Sequence, residues 1–445
     1  MAGFIMAAQL IGALSILVTL HELGHFWAAR AFGIKVEKFY LFFDAWNFKL
    51  FSKKFGDTEY GIGWLPLGGY VKIAGMIDES MDTEALKQPA QSWEFRSKPA
   101  WQRLIVMIGG VTMNVILGVV IFTCLLFFLK KEFATVDEVN KQGIVAYPAG
   151  QKIGFENGDK IISVNGKSIE RFDDLYSATV IMGAEVEIER NGSSKTIEVP
   201  STFYRDIDKS LRAQYIAPDS IKCFIKKVTE ESNAFKAGLM AGDKFVAIKY
   251  SRINNAWDLV SVLHAFKGTT VPITIERKGS PQVINVEITP EGKIGIMPQE
   301  KCDYKQDFVK QPYTLASAFS YGVKDAFEAI TSNIKGLGKI FKGEEKVKDS
   351  LQGPIGIATI FGGDFDWLRF WTLTGLLSMV LAFMNILPIP ALDGGHVVFL
   401  LWEAITHRKL SDKFMERAQI VGMVILLSLM AFAFGNDILK VISKN

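Results

Sequence analysis

The chain has 445 residues, 49% of them hydrophobic, and its 50 basic and 47 acidic residues leave a formal net charge of +3. So small a net charge provides no electrostatic attraction for nucleic acid, and nucleic acid is therefore not expected as a partner. The apolar residues are gathered into blocks, a distribution that indicates a membrane protein with a soluble insert.

Four stretches approach the ~20 apolar residues that a helix needs to cross a bilayer. We therefore predict a polytopic α-helical membrane protein with four transmembrane helices. The first stretch is not expected to be a cleaved signal peptide, because it lacks a basic start and carries histidine and glutamate near its end. The stretches are residues 4–31, 104–129, 370–387 with a continuation, and 420–434.

The orientation in the membrane follows from where lysine and arginine collect in short loops. Residues 31–103 are rich in lysine, and the turn after the third span carries Arg408, Lys409, Lys413 and Arg417. Both regions are expected on the cytoplasmic side. The insert from about residue 130 to about 366, together with both termini, is then expected to be extracytoplasmic.

Residues 36–43 and 59–74 are predicted to be strands of a β-hairpin that folds back toward the membrane from the cytoplasmic side. An unwound substrate could add to the edge of this hairpin as a further strand. The alternative is an ordinary interfacial hairpin with no role in substrate binding. The predicted substrate-binding residues are Leu65, Pro66, Leu67, Gly68, Gly69 and Tyr70.

The insert repeats itself. Residues 158–162 (Gly-Asp-Lys-Ile-Ile) align with residues 242–246 (Gly-Asp-Lys-Phe-Val), and alternating strands follow at 186–189 and 273–276. The repeats, at about residues 133–205 and 220–298, resemble PDZ domains, small α/β modules that bind peptide ends by strand addition. Neither copy has a clear glycine-rich carboxylate loop, so peptide binding and a role as spacer or gate both stay open.

Residues 313–341 carry Phe319, Val323, Phe327 and Ile330 at helical spacing. This pattern predicts an amphipathic helix. It could lie on the outer membrane surface or pack against the modules.

The three cysteines do not form a disulfide framework. Cys124 lies in a predicted span and is expected to be an inert core thiol. Cys223 and Cys302 flank the second module, which leaves a single bridge between them open, because sequence cannot establish their geometry.

The segment His21-Glu22-Leu23-Gly24-His25 ends the first apolar run. Residues four apart lie on one face of a helix, so two imidazoles can reach one metal ion, and Glu22 is near enough to hold an attacking water. Three ionisable groups at membrane depth are costly unless they are partnered. A zinc ion would partner them, whereas satisfied core histidines would leave Glu22 unexplained.

A catalytic zinc site needs a third protein ligand. Asp393 is the natural candidate, because Pro388 and Pro390 prevent a regular helix just before it, and irregular backbone at membrane depth is tolerated where it is buried or lines a wet cavity. His396, three residues on, could be the ligand instead. Asn385 could donate a hydrogen bond to the developing oxyanion or could satisfy backbone carbonyls freed by the break.

These features together resemble the site-2 protease family of intramembrane zinc metalloproteases, in the bacterial type that regulates a sigma factor and carries two PDZ domains. The resemblance rests on residues 21–25, on residues 385–394 (Asn-Ile-Leu-Pro-Ile-Pro-Ala-Leu-Asp-Gly), on the two modules, and on residues 66–72 (Pro-Leu-Gly-Gly-Tyr-Val-Lys). It covers nearly the whole chain. It implies zinc ligands at His21, His25 and Asp393, with Glu22 as the catalytic residue.

The resemblance also implies one zinc ion per chain, a place in the bacterial cytoplasmic membrane among its lipids, and single-span substrates. Such substrates would include anti-sigma factors already shortened on the exported side and remnant signal peptides. In the expected mechanism Glu22 takes a proton from zinc-bound water and returns it to the leaving amine, while zinc and Asn385 stabilise the oxyanion.

Two other classes of protein remain as alternatives: a membrane scaffold that presents PDZ modules, and a metal transporter. The residues His21, Glu22, His25 and Asp393 argue against the scaffold. The other spans lack the further buried acids that a transport path would need.

The predicted division of the chain is transmembrane helix 1 (1–32), the cytoplasmic-side hairpin region (33–100), transmembrane helix 2 (101–130), PDZ-like domains 1 (131–215) and 2 (216–300), an amphipathic and linker segment (301–366), transmembrane helix 3 (367–402), a cytoplasmic turn (403–417), and transmembrane helix 4 (418–438).

Overall fold

The computed structural model describes residues 2–66, 68–76, 89–129, 132–205, 207, 215–218, 221–253, 256–302, 310–345, 348 and 352–442. The chain divides into two compact units. The first combines residues 1–131 with residues 313–445, and the second is the insert between them, residues 132–312.

The long helices belong to the first unit, and the described helices of the second unit are short. In chain order they are α1 (Ala2–Ala31), α2 (Ala100–Phe128), α3 (Val136–Asn140), α4 (Pro148–Lys152), α5 (Ala178–Ile181), α6 (Asn233–Lys236), α7 (Ala256–Ala265), α8 (Leu315–Phe341), α9 (Pro354–Phe361), α10 (Trp367–Ile386), α11 (Asp393–Thr406) and α12 (Asp412–Ile442).

The strands fall into separate small sheets. They are β1 (Val36–Leu41), β2 (Lys49–Phe55), β3 (Thr58–Gly63), β4 (Tyr70–Ile73), β5 (Glu132–Ala134), β6 (Ile144–Ala146), β7 (Lys160–Val164), β8 (Ala184–Arg190), β9 (Ser193–Val199), β10 (Ile216–Pro218), β11 (Ile221–Val228), β12 (Lys244–Ile248), β13 (Ser251–Arg252), β14 (Thr270–Arg277), β15 (Ser280–Glu287), β16 (Ile296–Cys302) and β17 (Lys310–Pro312).

Four helices in the described part of the chain are long and apolar enough to cross a membrane: α1, α2, α10 and α12. The prediction of four helices with the length and apolar composition of a membrane span is therefore confirmed. Helix α12 begins at Asp412, eight residues before the predicted start of the fourth span, because the helix continues through the polar turn as well as the apolar run.

Helices α1 and α2 approach each other at glycines. A Cβ atom on Gly24 would lie 2.2 Å from the carbonyl oxygen of Gly109, and one on Gly109 would lie 2.6 Å from the carbonyl oxygen of Gly24. Side chains at these positions would push the helices apart. The glycines therefore allow the histidine-bearing face of α1 to lie directly against α2.

The predicted helix break around Pro388 and Pro390 is present between α10 and α11. The chain turns sharply there, with a hydrogen bond from the Ile389 amide to the Leu387 carbonyl at 2.7 Å. A Cβ atom on Gly394 would lie 2.2 Å from the carbonyl oxygen of Leu387. Glycine at the start of α11 thus lets the broken segment fold back over that helix.

The predicted cytoplasmic-side hairpin of residues 36–43 and 59–74 is wrong: the region is a four-stranded sheet in the order β2-β3-β1-β4, and residues 59–74 contain two strands, β3 and β4. Strand β1 pairs in parallel with β3 and antiparallel with β4. Strand β2 was not predicted, because its run Lys-Leu-Phe-Ser-Lys-Lys-Phe lacks an alternating apolar face and its residues are mostly exposed. Its pairing with β3, across a tight turn, is what orders it.

A polar contact joins three strands of this sheet. Lys49 and the Tyr40 hydroxyl each donate a hydrogen bond to Glu59 at 2.6 Å. These two donors, Lys49 foremost, lower the pKa of the Glu59 carboxyl to about 2. The sheet is therefore held together by side chains as well as by its backbone ladder.

The second unit contains two hydrophobic cores, one in each aligned repeat. Asp159 accepts hydrogen bonds from Arg190 at 2.7 Å on both oxygens, and Asp243 accepts the same pair from Arg277 at 2.7 Å. Both aspartates are 1% exposed. The same buried ion pair thus occurs at aligned positions, which indicates one shared plan for the two modules.

The first module extends past the predicted boundary at residue 215. Strand β10 pairs antiparallel with β6, and Ile216 lies in the first hydrophobic core. The sequence left a bridge between Cys223 and Cys302 open. In the structure the two cysteines are not paired in the strand register, which places Cys223 opposite Glu300 and Cys302 opposite Ile221.

Helix α8 packs against α2 and α10 within the first unit. Its buried residues include Ala318, Gly322 and Ala326, whereas Phe319 and Phe327 are 58% and 48% exposed. These two aromatic residues therefore face outward, and small residues face the neighbouring helices. The predicted helix is present, and its place on the outer membrane surface stays a prediction.

Candidate metal and catalytic site

Three ligand atoms from two helices meet at one point inside the first unit. His21 Nε2 lies 3.2 Å from Asp393 Oδ2, His25 Nε2 lies 3.3 Å from the same oxygen, and the two Nε2 atoms are 3.3 Å apart. Both histidines are buried. Among the described residues, these three form the one group of histidine, cysteine and acidic side chains arranged to hold a metal ion.

The ligand atoms come together because of local features of both helices. His21 and His25 are one turn apart near the C-terminal end of α1, so their rings share a face. Asp393 is the first residue of α11 and follows directly on the broken segment. The break thus ends a membrane-spanning helix at the level of the histidines and directs a carboxylate toward them.

The three ligand atoms, His21 Nε2, His25 Nε2 and Asp393 Oδ2, are spaced to hold a zinc ion. Zinc binds nitrogen and oxygen ligands tetrahedrally at about 2.0–2.1 Å, which separates neighbouring ligand atoms by roughly 3.3–3.4 Å. The observed edges of 3.2–3.3 Å match this spacing. Asp393 Oδ2 is also buried and has no hydrogen bond of acceptable geometry to any described residue, an arrangement that is costly without a cation.

Helix α2 contacts the far side of each imidazole. His25 Nδ1 lies 2.8 Å from the backbone carbonyl oxygen of Val106, and His21 Nδ1 lies 3.1 Å from the side-chain amide of Asn114. Neither partner was predicted from the sequence. Asn114 was detectable, because a side-chain amide within a transmembrane run is costly and needs a partner, whereas a backbone carbonyl carries no such signal.

Glu22 belongs to the same site. Its carboxylate interacts electrostatically with His21, His25 and Asp393, and with the backbone amide of Val71 on strand β4. This interaction links the four-stranded sheet to the residue predicted to act as the general base.

Asn385 is close to the ligand atoms. Its side-chain amide nitrogen lies 3.2 Å from His21 Nε2, so this group is available beside the space that the three ligands enclose. His396 lies one turn along α11 from Asp393, where its ring packs edge-on to Phe399. His396 does not belong to the group of ligand atoms formed by His21, His25 and Asp393.

The predicted substrate-binding segment runs from the sheet to helix α1. Leu65 pairs with Phe43, and the Tyr70 hydroxyl donates to Asp44 at 3.0 Å. A Cβ atom on Gly69 would lie 2.7 Å from Val18 on α1, so this glycine sits directly against the helix that carries the histidines. Pro66 and Gly68 lie between these points, and Leu67 falls outside the described residues.

Replacing Gly110 with alanine should weaken zinc binding. A Cβ atom there would lie 2.4 Å from His25 Nε2 and 2.6 Å from His21 Cε1, so the rings must move. Overpacking of this kind costs about 1–3 kcal/mol, equivalent to roughly one to two orders of magnitude in zinc affinity. Zinc affinity measured by chelator competition tests this.

Gly12→Ala is the matched control for that substitution. Gly12 is a helical glycine of α1 whose added Cβ would meet its nearest neighbour, Phe370, at 4.0 Å. Gly12→Ala should retain zinc. Equal zinc affinity in the Gly110 and Gly12 variants would show that the close approach of α2 is unimportant to the site.

Comparison with known proteins places the chain among proteases. The model of peptidase family M50 matches residues 9–429. The regulator of sigma E protease of Haemophilus influenzae is 29% identical over 449 residues, covering 96% of this chain and 97% of that protein. RseP of Escherichia coli, a regulator of sigma-E protease, is 28% identical, with 97% of each chain covered. A putative zinc metalloprotease of Vibrio cholerae is 28% identical, with 96% of each covered.

Proposed function

This chain belongs to peptidase family M50, and we propose that it is an intramembrane zinc endopeptidase that hydrolyses peptide bonds within the transmembrane segments of single-span proteins. The observation that carries this proposal is the meeting of His21, His25 and Asp393, with Glu22 beside them, on helices of the membrane-spanning unit. A protease whose chemistry lies at that depth can act on bonds that soluble proteases cannot reach.

His21, His25 and Asp393 are proposed to hold one zinc ion per chain. Two imidazoles and a carboxylate also bind iron in some oxygenases, so the choice of zinc rests on the family and on relatives described as zinc metalloproteases. When bound, zinc would activate a water molecule and polarise the carbonyl of the scissile bond.

Glu22 is proposed as the general base and then the general acid. Its carboxylate can accept the proton of the attacking water and deliver it to the amide nitrogen as the peptide bond breaks. The backbone amide of Val71, which interacts with this carboxylate, would hold it in place. Asn385 is proposed to donate a hydrogen bond to the carbonyl oxygen as negative charge develops there.

Strand β4 is proposed to present the substrate to the site. It is an edge strand of the four-stranded sheet, it contacts α1, and its Val71 amide meets Glu22. A helical substrate has its peptide bonds shielded by internal hydrogen bonds, so it must unwind before hydrolysis. Adding to β4 as a strand would pair the unwound segment beside Glu22. Leu65, Pro66, Gly68, Gly69 and Tyr70 would then border this surface.

Cross-linking tests this role of β4. A cysteine in place of Tyr70, at the start of β4, should form a disulfide with a cysteine placed near the cleavage position of the substrate. The control is a cysteine at Ser52 on β2, which is the opposite edge of the same sheet. Cross-linking from position 52 alone would contradict the proposal.

The physiological substrates are proposed to be anti-sigma factors already trimmed on the exported side, and remnant signal peptides. This proposal is supported by relatives named as regulators of sigma E proteases. The enzyme would lie in the bacterial inner membrane, with the modules and both termini extracytoplasmic. A single-span reporter cut within its membrane segment, with the position mapped by mass spectrometry, supports the proposal, whereas cuts confined to its soluble parts would refute it.

The two modules are proposed to be PDZ-like domains that filter substrates by size. In the first module, the Tyr215 hydroxyl donates to the Leu175 carbonyl at 2.9 Å and the Tyr176 hydroxyl donates to the Ile216 carbonyl, which ties the turn before α5 to strand β10. In the second module, β16 ends its sheet and lies beside α7. These hydrogen bonds occupy backbone carbonyls beside β10 in the first module, and β16 is proposed as the edge to which a bound peptide would add.

Deleting residues 133–298 tests the filter. Substrates that retain a folded exported domain should become cleavable, because the proposed barrier is gone. The measurement compares cleavage of a trimmed and an untrimmed reporter by the full chain and by the deletion variant. If the deletion variant cuts only the trimmed reporter, as the full chain should, the filter proposal is wrong.

A further inference from the structure

We propose that Asn114 is a positioning residue that keeps His21 ready to bind the metal. In this arrangement Asn114 Oδ1 accepts a hydrogen bond from Nδ1–H of His21, so that Nε2 keeps its lone pair for the metal ion. The inference rests on the proposed zinc site and adds to it a residue of helix α2.

Asn114 is fully buried, and its amide nitrogen as placed lies 3.1 Å from His21 Nδ1. Its Oδ1 then has no hydrogen-bond partner among the described residues. A half-turn of the amide exchanges its nitrogen and oxygen with almost no change in shape, so the hydrogen bonds must decide between the two orientations.

The two orientations have opposite consequences for His21. If Asn114 donates to Nδ1, a neutral imidazole carries its hydrogen on Nε2, and Nε2 cannot bind a metal. If Asn114 accepts from Nδ1–H, Nε2 is free, and the buried Oδ1 gains the partner that it otherwise lacks. The second orientation therefore satisfies the amide oxygen and the metal site together.

His25 shows the same arrangement without ambiguity. Its Nδ1 lies 2.8 Å from the carbonyl oxygen of Val106, and a carbonyl oxygen can only accept. His25 must therefore carry a hydrogen on Nδ1, which leaves Nε2 free. Helix α2 would thus supply an acceptor behind each histidine: a backbone oxygen for His25 and a side-chain oxygen for His21. Such outer partners fix the ring orientation of metal-binding histidines.

The position of Asn114 is itself fixed by helix α10. The Ser378 hydroxyl donates to the Asn114 backbone carbonyl at 2.7 Å, and Ser378 is fully buried as well. The backbone that carries the Asn114 amide is therefore held by a buried contact between α2 and α10. This contact keeps the amide within hydrogen-bond distance of His21 Nδ1.

Two variants of Asn114 separate the orientations. Asn114→Asp provides only acceptor oxygens and should bind zinc at least as tightly as the unmodified chain. Asn114→Leu has a similar size but no acceptor and should lose roughly 10–100-fold in zinc affinity, as is typical for outer hydrogen-bond partners. Thr112→Val, on an exposed part of α2, should leave zinc affinity unchanged. Affinity is measured on the full chain by competition with a chelator, and far-UV circular dichroism checks folding.

The result that overturns the inference is weakened zinc binding in Asn114→Asp, or unchanged zinc affinity in Asn114→Leu. In either case the unmodified chain would still bind zinc normally. Failure of the unmodified chain to bind zinc would instead refute the proposed zinc site, and the inference with it. The Asp variant keeps the test decisive even if the Leu variant does not fold.

Discussion

Replacing Glu22 with glutamine should abolish proteolysis while leaving zinc in place. Glutamine has nearly the same shape as glutamate but cannot accept the proton of the attacking water, so the general base is lost. General acid–base catalysis typically contributes a factor of about 10²–10⁴, and we expect a loss at the upper end because Glu22 would act twice in the reaction. Cleavage of a single-span reporter and the zinc content of the purified variant are measured together.

Glu37→Gln is the matched control, because Glu37 is also an acid of the first unit but pairs with Lys72 in the sheet. It should cleave at the normal rate. Retained cleavage in Glu22→Gln would remove Glu22 from the mechanism. Loss of zinc in the same variant would show that Glu22 acts through the metal site rather than on the proton.

Replacing Asp393 with asparagine should strip zinc from the protein, whereas replacing His396 with alanine should not. Asp393 Oδ2 lies 3.2 and 3.3 Å from the two histidine nitrogens, and its charge offsets that of the ion. Loss of one of three ligands should weaken zinc binding by more than the roughly 10–100-fold expected for an outer partner. Metal analysis of the two variants measures the difference.

The comparison between these variants decides which of the two residues is the third ligand, a question that the sequence left open. Both lie on α11, one turn apart, so each variant serves as the control for the other. Zinc loss confined to His396→Ala would reverse the assignment. Loss in both would indicate that α11 as a whole, rather than one carboxylate, supports the metal.

Much of the site was predictable because its chemistry follows from short spacings. Two histidines four residues apart on a helix share a face, and prolines around residue 388 break a helix whatever its surroundings. The spans were equally predictable, since their signal is the length of an apolar run. These features depend on local sequence alone.

The supporting structure was harder to predict because it depends on contacts between distant parts of the chain. The glycines at positions 24 and 110 are ordinary helix residues in the sequence, and only the approach of α1 to α2 gives them a function. Strand β2 has no apolar alternation and is ordered by its pairing with β3. In α8, small residues make the contacts, although the large aromatic residues give the stronger sequence pattern.

The scaffold and transporter alternatives make different predictions about the metal. A scaffold needs no buried ligand group, yet His21, His25 and Asp393 converge inside the first unit. A transporter needs several such groups along a path, and the described residues contain this one alone. A single enclosed group beside a glutamate favours catalysis over both alternatives.

The most direct test is cleavage of a single-span reporter by the purified full chain before and after removal of zinc. We predict one zinc ion per chain, cleavage within the reporter's membrane segment, loss of that cleavage on chelation, and its recovery when zinc is restored. Cleavage that persists after the metal has been removed, or a protein that binds no zinc, would contradict the proposed function.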